Sequence, residues 1–199
     1  MSQFPELPDP TSPLTPPVLG KQPGDRLIHQ APRATLVQRQ VLTNSGKSLP
    51  REVVLHPGAV IILPILEDQR IVMIRNRRHT VNQELLELPA GTLEVKPDGS
   101  PESPALCATR ELLEETGYSA KILSAFGWFY TSPGILTEKM YAFIATSLTL
   151  GQQNLEDNEQ IRVEVLSRDT ILALLQQNRI VDAKSIATLL KYFIQQTPE

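Results

Sequence analysis

The segment Ser103–Tyr118, SPALCATRELLEETGY, constrains this chain more than any other stretch. Ser103 suits a helix N-cap and Pro104 the first helical position. Gly117 suits the place just past the C-terminus, where a positive φ is needed. A helix over about Pro104–Thr116 is therefore predicted, with Ala105, Leu106, Thr109, Leu112 and Leu113 expected to face a core. The same helix carries Glu111, Glu114 and Glu115. Spacings of three and four put such side chains on one flank, where each like-charge pair costs a few tenths of a kcal/mol, roughly. They also sit near the helix C-terminus, where the dipole disfavours anions. Selection for stability alone would not choose this. A solvated acidic face is the plain alternative. A bound divalent cation would reverse the electrostatics, because clustered carboxylate oxygens are the ligands Mg²⁺ or Mn²⁺ prefers.

The rest of the chain supplies strands for that helix to pack on. Thr35–Leu42 is β-branched and alternating, Ser45–Gly46 is a turn, and Glu52–Leu55 follows as a second strand. Ala59–Leu66 is a continuous apolar run, short enough for a buried strand, and Arg70–Arg75 returns after the polar turn Glu67–Asp68–Gln69. Ile122–Tyr130, Met140–Thr146 and Ile161–Leu166 are also strand-like. Ser167 can cap a helix over Asp169–Gln177, and Ala183–Gln195 has helical spacing at Ile186, Leu189, Leu190 and Phe193. Mixed strands, one helix, more strands and terminal helices give an α+β or α/β sandwich in one domain over residues 31–199. Before it, seven prolines in the first 25 residues (Pro5, Pro8, Pro10, Pro13, Pro16, Pro17, Pro23) remove amide donors. Residues 1–30 are expected to form an extended or disordered arm, free or packed on a partner subunit.

Composition narrows the function. The net charge of −3 does not suggest a nucleic-acid partner. The longest apolar run contains Pro64 and is far below the ~20 residues needed to span a bilayer. A polar N-terminus without a secretory pattern and a single cysteine, Cys107, point to the cytoplasm. Inside the helix, near its core face, Cys107 reads as a small packing residue.

Arg110-Glu111-Leu112-Leu113-Glu114-Glu115-Thr116-Gly117-Tyr118 resembles the second half of the Nudix hydrolase signature, with Glu102 at the required spacing before Arg110 and Gly91, after Leu88-Pro89-Ala90, as the leading glycine. Such a pattern arises by chance in roughly one chain in 10⁵ at average residue usage. Ten residues instead of five separate Gly91 from Glu102, so a surface-loop insertion is expected within Thr92–Pro101. The resemblance implies an α/β/α sandwich with a mixed β-sheet. It also implies a metal site (Mg²⁺, with Mn²⁺ as the alternative) built from Glu111, Glu114, Glu115, the Ala90 carbonyl and Glu159.

Further segments resemble the ADP-ribose pyrophosphatase branch. They are Ser132-Pro133-Gly134 with Glu138, Arg51-Glu52 before a strand, Arg78 after one, and the acidic loop Glu156–Glu159 before Ile161-Arg162-Val163. The resemblance implies that Arg78 holds a phosphate, and that Thr92, Ser132, Pro133, Gly134 and Glu138 lie along the substrate. Arg51 and Glu52 would meet the adenine or a partner subunit. Glu159 or Asp157 would activate water, with Glu114 assisting. Asp157 is one methylene shorter than the glutamate relatives often carry. The branch further implies a homodimer, with strands over 34–55 as candidates for sharing between subunits. The expected substrate is ADP-ribose or a related nucleoside diphosphate sugar, cut to a nucleoside monophosphate and a sugar phosphate. The alternatives are a nucleoside triphosphate pyrophosphohydrolase and a Nudix-like module that senses ADP-ribose without cleaving it.

Overall fold

A computed structural model describes residues 21–31, 34–96, 100–155, 157 and 159–196. Its strands are β1 (Arg26–Ala31), β2 (Ala34–Leu42), β3 (Ser48–Leu55), β4 (Ala59–Pro64), β5 (Ile71–Arg78), β6 (Gln83–Glu87), β7 (Ala90–Thr92), β8 (Tyr118–Tyr130), β9 (Lys139–Leu150) and β10 (Ile161–Leu166). Its helices are α1 (Pro104–Thr116), α2 (Arg168–Gln176) and α3 (Ala183–Gln195). The expected arm is described only from residue 21, and its end, Arg26–Ala31, pairs antiparallel with β2. The six prolines from Pro5 to Pro17 lie outside the described residues.

The central sheet runs β7-β4-β9-β8, with β4 and β9 parallel and the other pairs antiparallel, so it is mixed as expected. Ala59–Pro64 is buried throughout because it is covered on both faces. Val60 and Ile62 join Tyr141, Phe143 and Ala145 of β9 beneath Cys107, Ala108 and Leu112 of α1. Ala59, Ile61 and Leu63 turn the other way, onto a core shared with Ile171 of α2 and with Leu189 and Phe193 of α3. The period-2 geometry of a strand thus separates two apolar layers, one per helical side, giving an α/β/α sandwich. A second sheet, β10-β5-β6, lies beside it, and β1-β2-β3 forms a third whose outer residues are largely exposed.

Helix α1 has the expected ends. Gly117 has φ 75° and its N–H closes on the Leu113 carbonyl, while Ser103 makes no side-chain cap. The expected core face is corrected. Ala105, Leu106, Thr109 and Leu113 are exposed, and only Leu112 of that set is buried. The buried stripe is Cys107, Ala108, Glu111, Leu112 and Glu115. A helix with acids and leucines at interleaved spacings can bury either stripe. Here the sheet takes the one that carries the carboxylates. The insertion after Thr92 folds back on itself, with Glu102 N–H bonded to the Glu94 carbonyl (2.7 Å), and leaves α1 undisturbed. Its tip, residues 97–99, lies outside the described residues.

Candidate active site

One cleft of about 960 Å³ opens between α1, the β7 edge, the end of β5, the loop before β10, and residues of β1 and β2. Two carboxylates stand at its floor. Glu115 is 3% exposed and accepts a hydrogen bond from the Ala90 N–H (2.8 Å). Burial holds its pKa well above the usual carboxylate range. Glu111 accepts from Arg110 Nη1 at 2.8 Å, yet burial still pushes its pKa up to about 7. Arg110 also reaches Glu114 (3.0 Å) and Glu102 (3.0 Å), which explains why Glu102 must stand where it does in the sequence. Gly91 is needed for space. A Cβ there would lie 1.9 Å from the Glu111 carboxyl group, so the backbone cradles that carboxylate.

Glu159 faces this pair across the cleft, and its charge adds to the upward displacement of both Glu111 and Glu115. Asp157 occupies an exposed turn and does not line the cleft. Glu111, Glu114, Glu115 and Glu159, with Glu94 as a fifth carboxylate, therefore border the cleft against Arg110 and Arg78. Burying a carboxylate with so little compensation is unfavourable. Hard oxygen donors with this excess of negative charge fit a divalent cation. As they stand, Arg110 holds Glu111 and Glu114, and among the described residues no three acidic, imidazole or thiol groups converge into a finished cage.

Arg78 borders the same cleft, with both Nε (2.8 Å) and Nη2 (2.6 Å) donating to Glu87. Glu87 is fully buried and also accepts from Lys184 Nζ (2.7 Å). Lys184 in turn pairs with Asp182, which caps α3 through Ser185 N–H. Ser185 Oγ accepts from Leu88 N–H (2.8 Å), so α3 also braces the strand end that delivers Ala90. This network is absent from the sequence expectations. Its available signal is the lone acid in Leu85-Leu86-Glu87-Leu88, because a charge inside an apolar strand requires a buried partner.

The other expected residues are distributed unevenly. Ala90 and Thr92 line the cleft with Glu111, Glu114, Glu115, Glu159 and Arg78. Ser132, Pro133 and Gly134 form an exposed turn outside the lining, closed by Ile135 and Leu136 N–H bonds to the Ser132 carbonyl. Glu138 is tied to Thr131 and stands 3.4 Å from His56 Nε2, and His56 does border the cleft. Arg51 and Glu52 are exposed on β3 and do not line the cleft of their own chain.

The NUDIX domain family matches residues 55–189. This chain belongs to the Nudix hydrolase family. Nudix hydrolases use divalent metal ions, in agreement with the donor set of the cleft. Over 143 residues the chain is 36% identical to the ADP-ribose pyrophosphatase of Bacillus subtilis (strain 168), covering 71% of this chain and 75% of that protein. It is 33% identical over 144 residues to the methanol dehydrogenase activator of Bacillus methanolicus, again 71% and 75%. A solved structure described as an ADP compounds hydrolase superposes with a TM-score of 0.74 at 20% identity, over 91% of this chain and 94% of that one, and shows the Nudix fold. No helix among the described residues is long and apolar enough to cross a membrane.

Proposed function

We propose that this Nudix hydrolase cleaves the diphosphate of ADP-ribose, or of a related nucleoside diphosphate sugar, with Mg²⁺ as the working ion and Mn²⁺ as a substitute. The observation that carries the reading is the pair of buried carboxylates, Glu111 and Glu115, facing Glu159 in a cleft that also presents Arg78. The named activity of the Bacillus subtilis relative supports the choice of substrate.

Glu111, Glu115 and Glu114, with the Ala90 carbonyl and Glu159, would hold the cation. Arg110 must give up part of its hold on Glu111 and Glu114 for this to happen. The bound ion supplies charge neutralisation and a more acidic water. Of the two candidates for accepting the water proton, the cleft position of Glu159 supports it over the exposed Asp157. The water oxygen then bonds to one phosphorus, the bridging P–O bond breaks, and the second phosphate leaves. Arg78 binds a phosphate oxygen with the donors Glu87 leaves to it. Thr92 lies along the substrate, and Ser132, Pro133, Gly134 and Glu138 would hold its diphosphate or its terminal ribose. Arg51 and Glu52 would serve the partner's cleft in a homodimer. The exposed Leu27, Ile28, Leu42 and Leu49 of β1–β3 support such a partner. The cytoplasm suits its one buried, unbridged cysteine.

The test is a product assay with Mg²⁺ across ADP-ribose, ADP-glucose, GDP-mannose and the dNTPs. AMP with ribose 5-phosphate is expected from ADP-ribose, and pyrophosphate release from dNTPs would overturn the substrate. Glu115→Gln should keep the fold and lower kcat at least about 10²-fold, the scale of one preorganised electrostatic group. Wild-type turnover in that variant would overturn the site. Sedimentation at micromolar concentration should show a dimer, and a monomer there would overturn the dimer.

A further inference from the structure

Asn76 is a buried polar residue of β5. It lies on β5 between Arg75 and Arg77, whose side chains are less buried, and is itself 7% exposed. Alternation along the strand puts it on the same side as Arg78, two residues on. Both residues border the active-site cleft. Asn76 pairs with Ile161 at the start of β10, and the neighbouring Arg77 N–H bonds to the Gln160 carbonyl (3.2 Å). Continued by two residues, that antiparallel register sets Glu159 across from Arg78, and Asn76, Arg78 and Glu159 all border the cleft.

The carboxamide of Asn76 makes no hydrogen bond to any described residue, and its polar atoms are not sealed from solvent. A buried amide holds up to four hydrogen-bonding positions, and native interiors seldom leave them idle. An apolar residue of the same size would suit a strand interior better. Arg78, meanwhile, commits Nε and Nη2 to Glu87, so only part of its fork is left for an oxyanion. A diphosphate offers more acceptor oxygens than that residue can satisfy. The surrounding acids cannot donate when ionised. A neutral amide is the donor that adds hydrogen bonding without adding a cation to compete for those acids.

We propose that Asn76 is a substrate-contacting residue, whose side-chain N–H₂ donates to a non-bridging phosphate oxygen next to the one held by Arg78. The assignment rests on the reading of the cleft as a diphosphate hydrolase site. It predicts an inverse relation between stability and activity at this position. Asn76→Leu removes an amide without a protein partner and fills the same space. Its melting temperature should equal or exceed that of the wild type, while kcat/KM falls about 10²- to 10³-fold, the range for losing one preorganised donor. Asn76→Asp keeps the shape and the acceptor but loses the donor and adds a charge among acids. It should fall at least as far in kcat/KM as Asn76→Leu.

The experiment measures melting temperature without substrate for all three proteins, and kcat and KM on whichever diphosphate the wild type hydrolyses in the panel above. Melting needs no substrate, so failure of the ADP-ribose assignment leaves that arm decisive. Three results would each overturn the proposal: an Asn76→Leu protein several degrees less stable than wild type, which would make the amide structural; an Asn76→Leu protein with kcat and KM within two-fold of wild type; or full activity in Asn76→Asp, which would make the amide oxygen the working atom. If Asn76→Leu does not fold, the stability result stands against the proposal, and Asp at the same position decides the donor role.

Discussion

Removing the charge of Glu111 should flatten the pH dependence of stability in metal-free protein. Burial raises this carboxyl from its ordinary 4.5 to about 7, even with Arg110 at 2.8 Å. The unfolded chain releases the proton near 4.5, whereas the folded chain keeps it until about 7. The stabilising contribution is therefore complete below the unfolded value, declines as pH rises between the two, and is gone above the folded value. At about 1.4 kcal/mol per pKa unit, the span is on the order of 3 kcal/mol. For a domain of this length, that is roughly 5–10 °C in Tm. Glu115 moves in the same direction, so the wild type should lose at least this much stability between pH 5 and pH 8 in EDTA. Glu111→Gln, a neutral isostere, should lose less by roughly 5–10 °C over the same interval. Added Mg²⁺ should stabilise the wild type more at pH 8 than at pH 5, because ligands bind metal in their ionised form, and should do little for the variant. Thermal melts at several pH values, with EDTA or Mg²⁺, read all of this. Parallel pH profiles for wild type and Glu111→Gln in EDTA would refute the argument.

Gly91→Ala puts a Cβ 1.9 Å from the Glu111 carboxyl and should lower kcat at least about 10-fold; wild-type kinetics in that variant would contradict the cradle. Lys184→Met leaves the buried Glu87 with Arg78 alone and should destabilise by about 1.5–3 kcal/mol in urea unfolding, the scale of one hydrogen bond to a charged group. A loss under about 1 kcal/mol would show that the pair is dispensable. Burial pushes the Cys107 thiol far above its ordinary range, so a thiol-reactive dye should label the protein only on denaturation. Rapid labelling of the native protein would contradict that placement.

The helix α1 was legible because its signals are local. A cap position, a proline and a left-handed glycine fix where a helix starts and stops whatever lies around it. The buried strand β4 was legible as a short apolar run, and the buried part of β9 as the strand-like Met140–Thr146. The short strands β6 and β7 were not, since Gln83–Glu87 mixes acids with leucines and Ala90–Thr92 is only three residues. Their strand character comes from pairing with β5 and β4. The buried face of α1 was also misjudged, because leucines usually mark the core and here two of them, Leu106 and Leu113, face outward while the acids go in.

The order of residues alone determined that Glu111, Glu114 and Glu115 share one helix flank, that Arg110 lies within reach of Glu114, and that a glycine ends the helix. Those relations span a few residues, and helix geometry converts spacing directly into proximity. Only the tertiary structure decided that this flank turns inward, that Gly91 leaves room for the Glu111 carboxylate, and that Glu159 stands opposite while Asp157 does not. It alone placed Glu87 and Lys184 behind Arg78, and the amide of Asn76 beside it. These contacts join residues far apart in the chain. Their energies depend on burial, which no local pattern of charges specifies: the same glutamate is ordinary in water and strongly perturbed under a sheet.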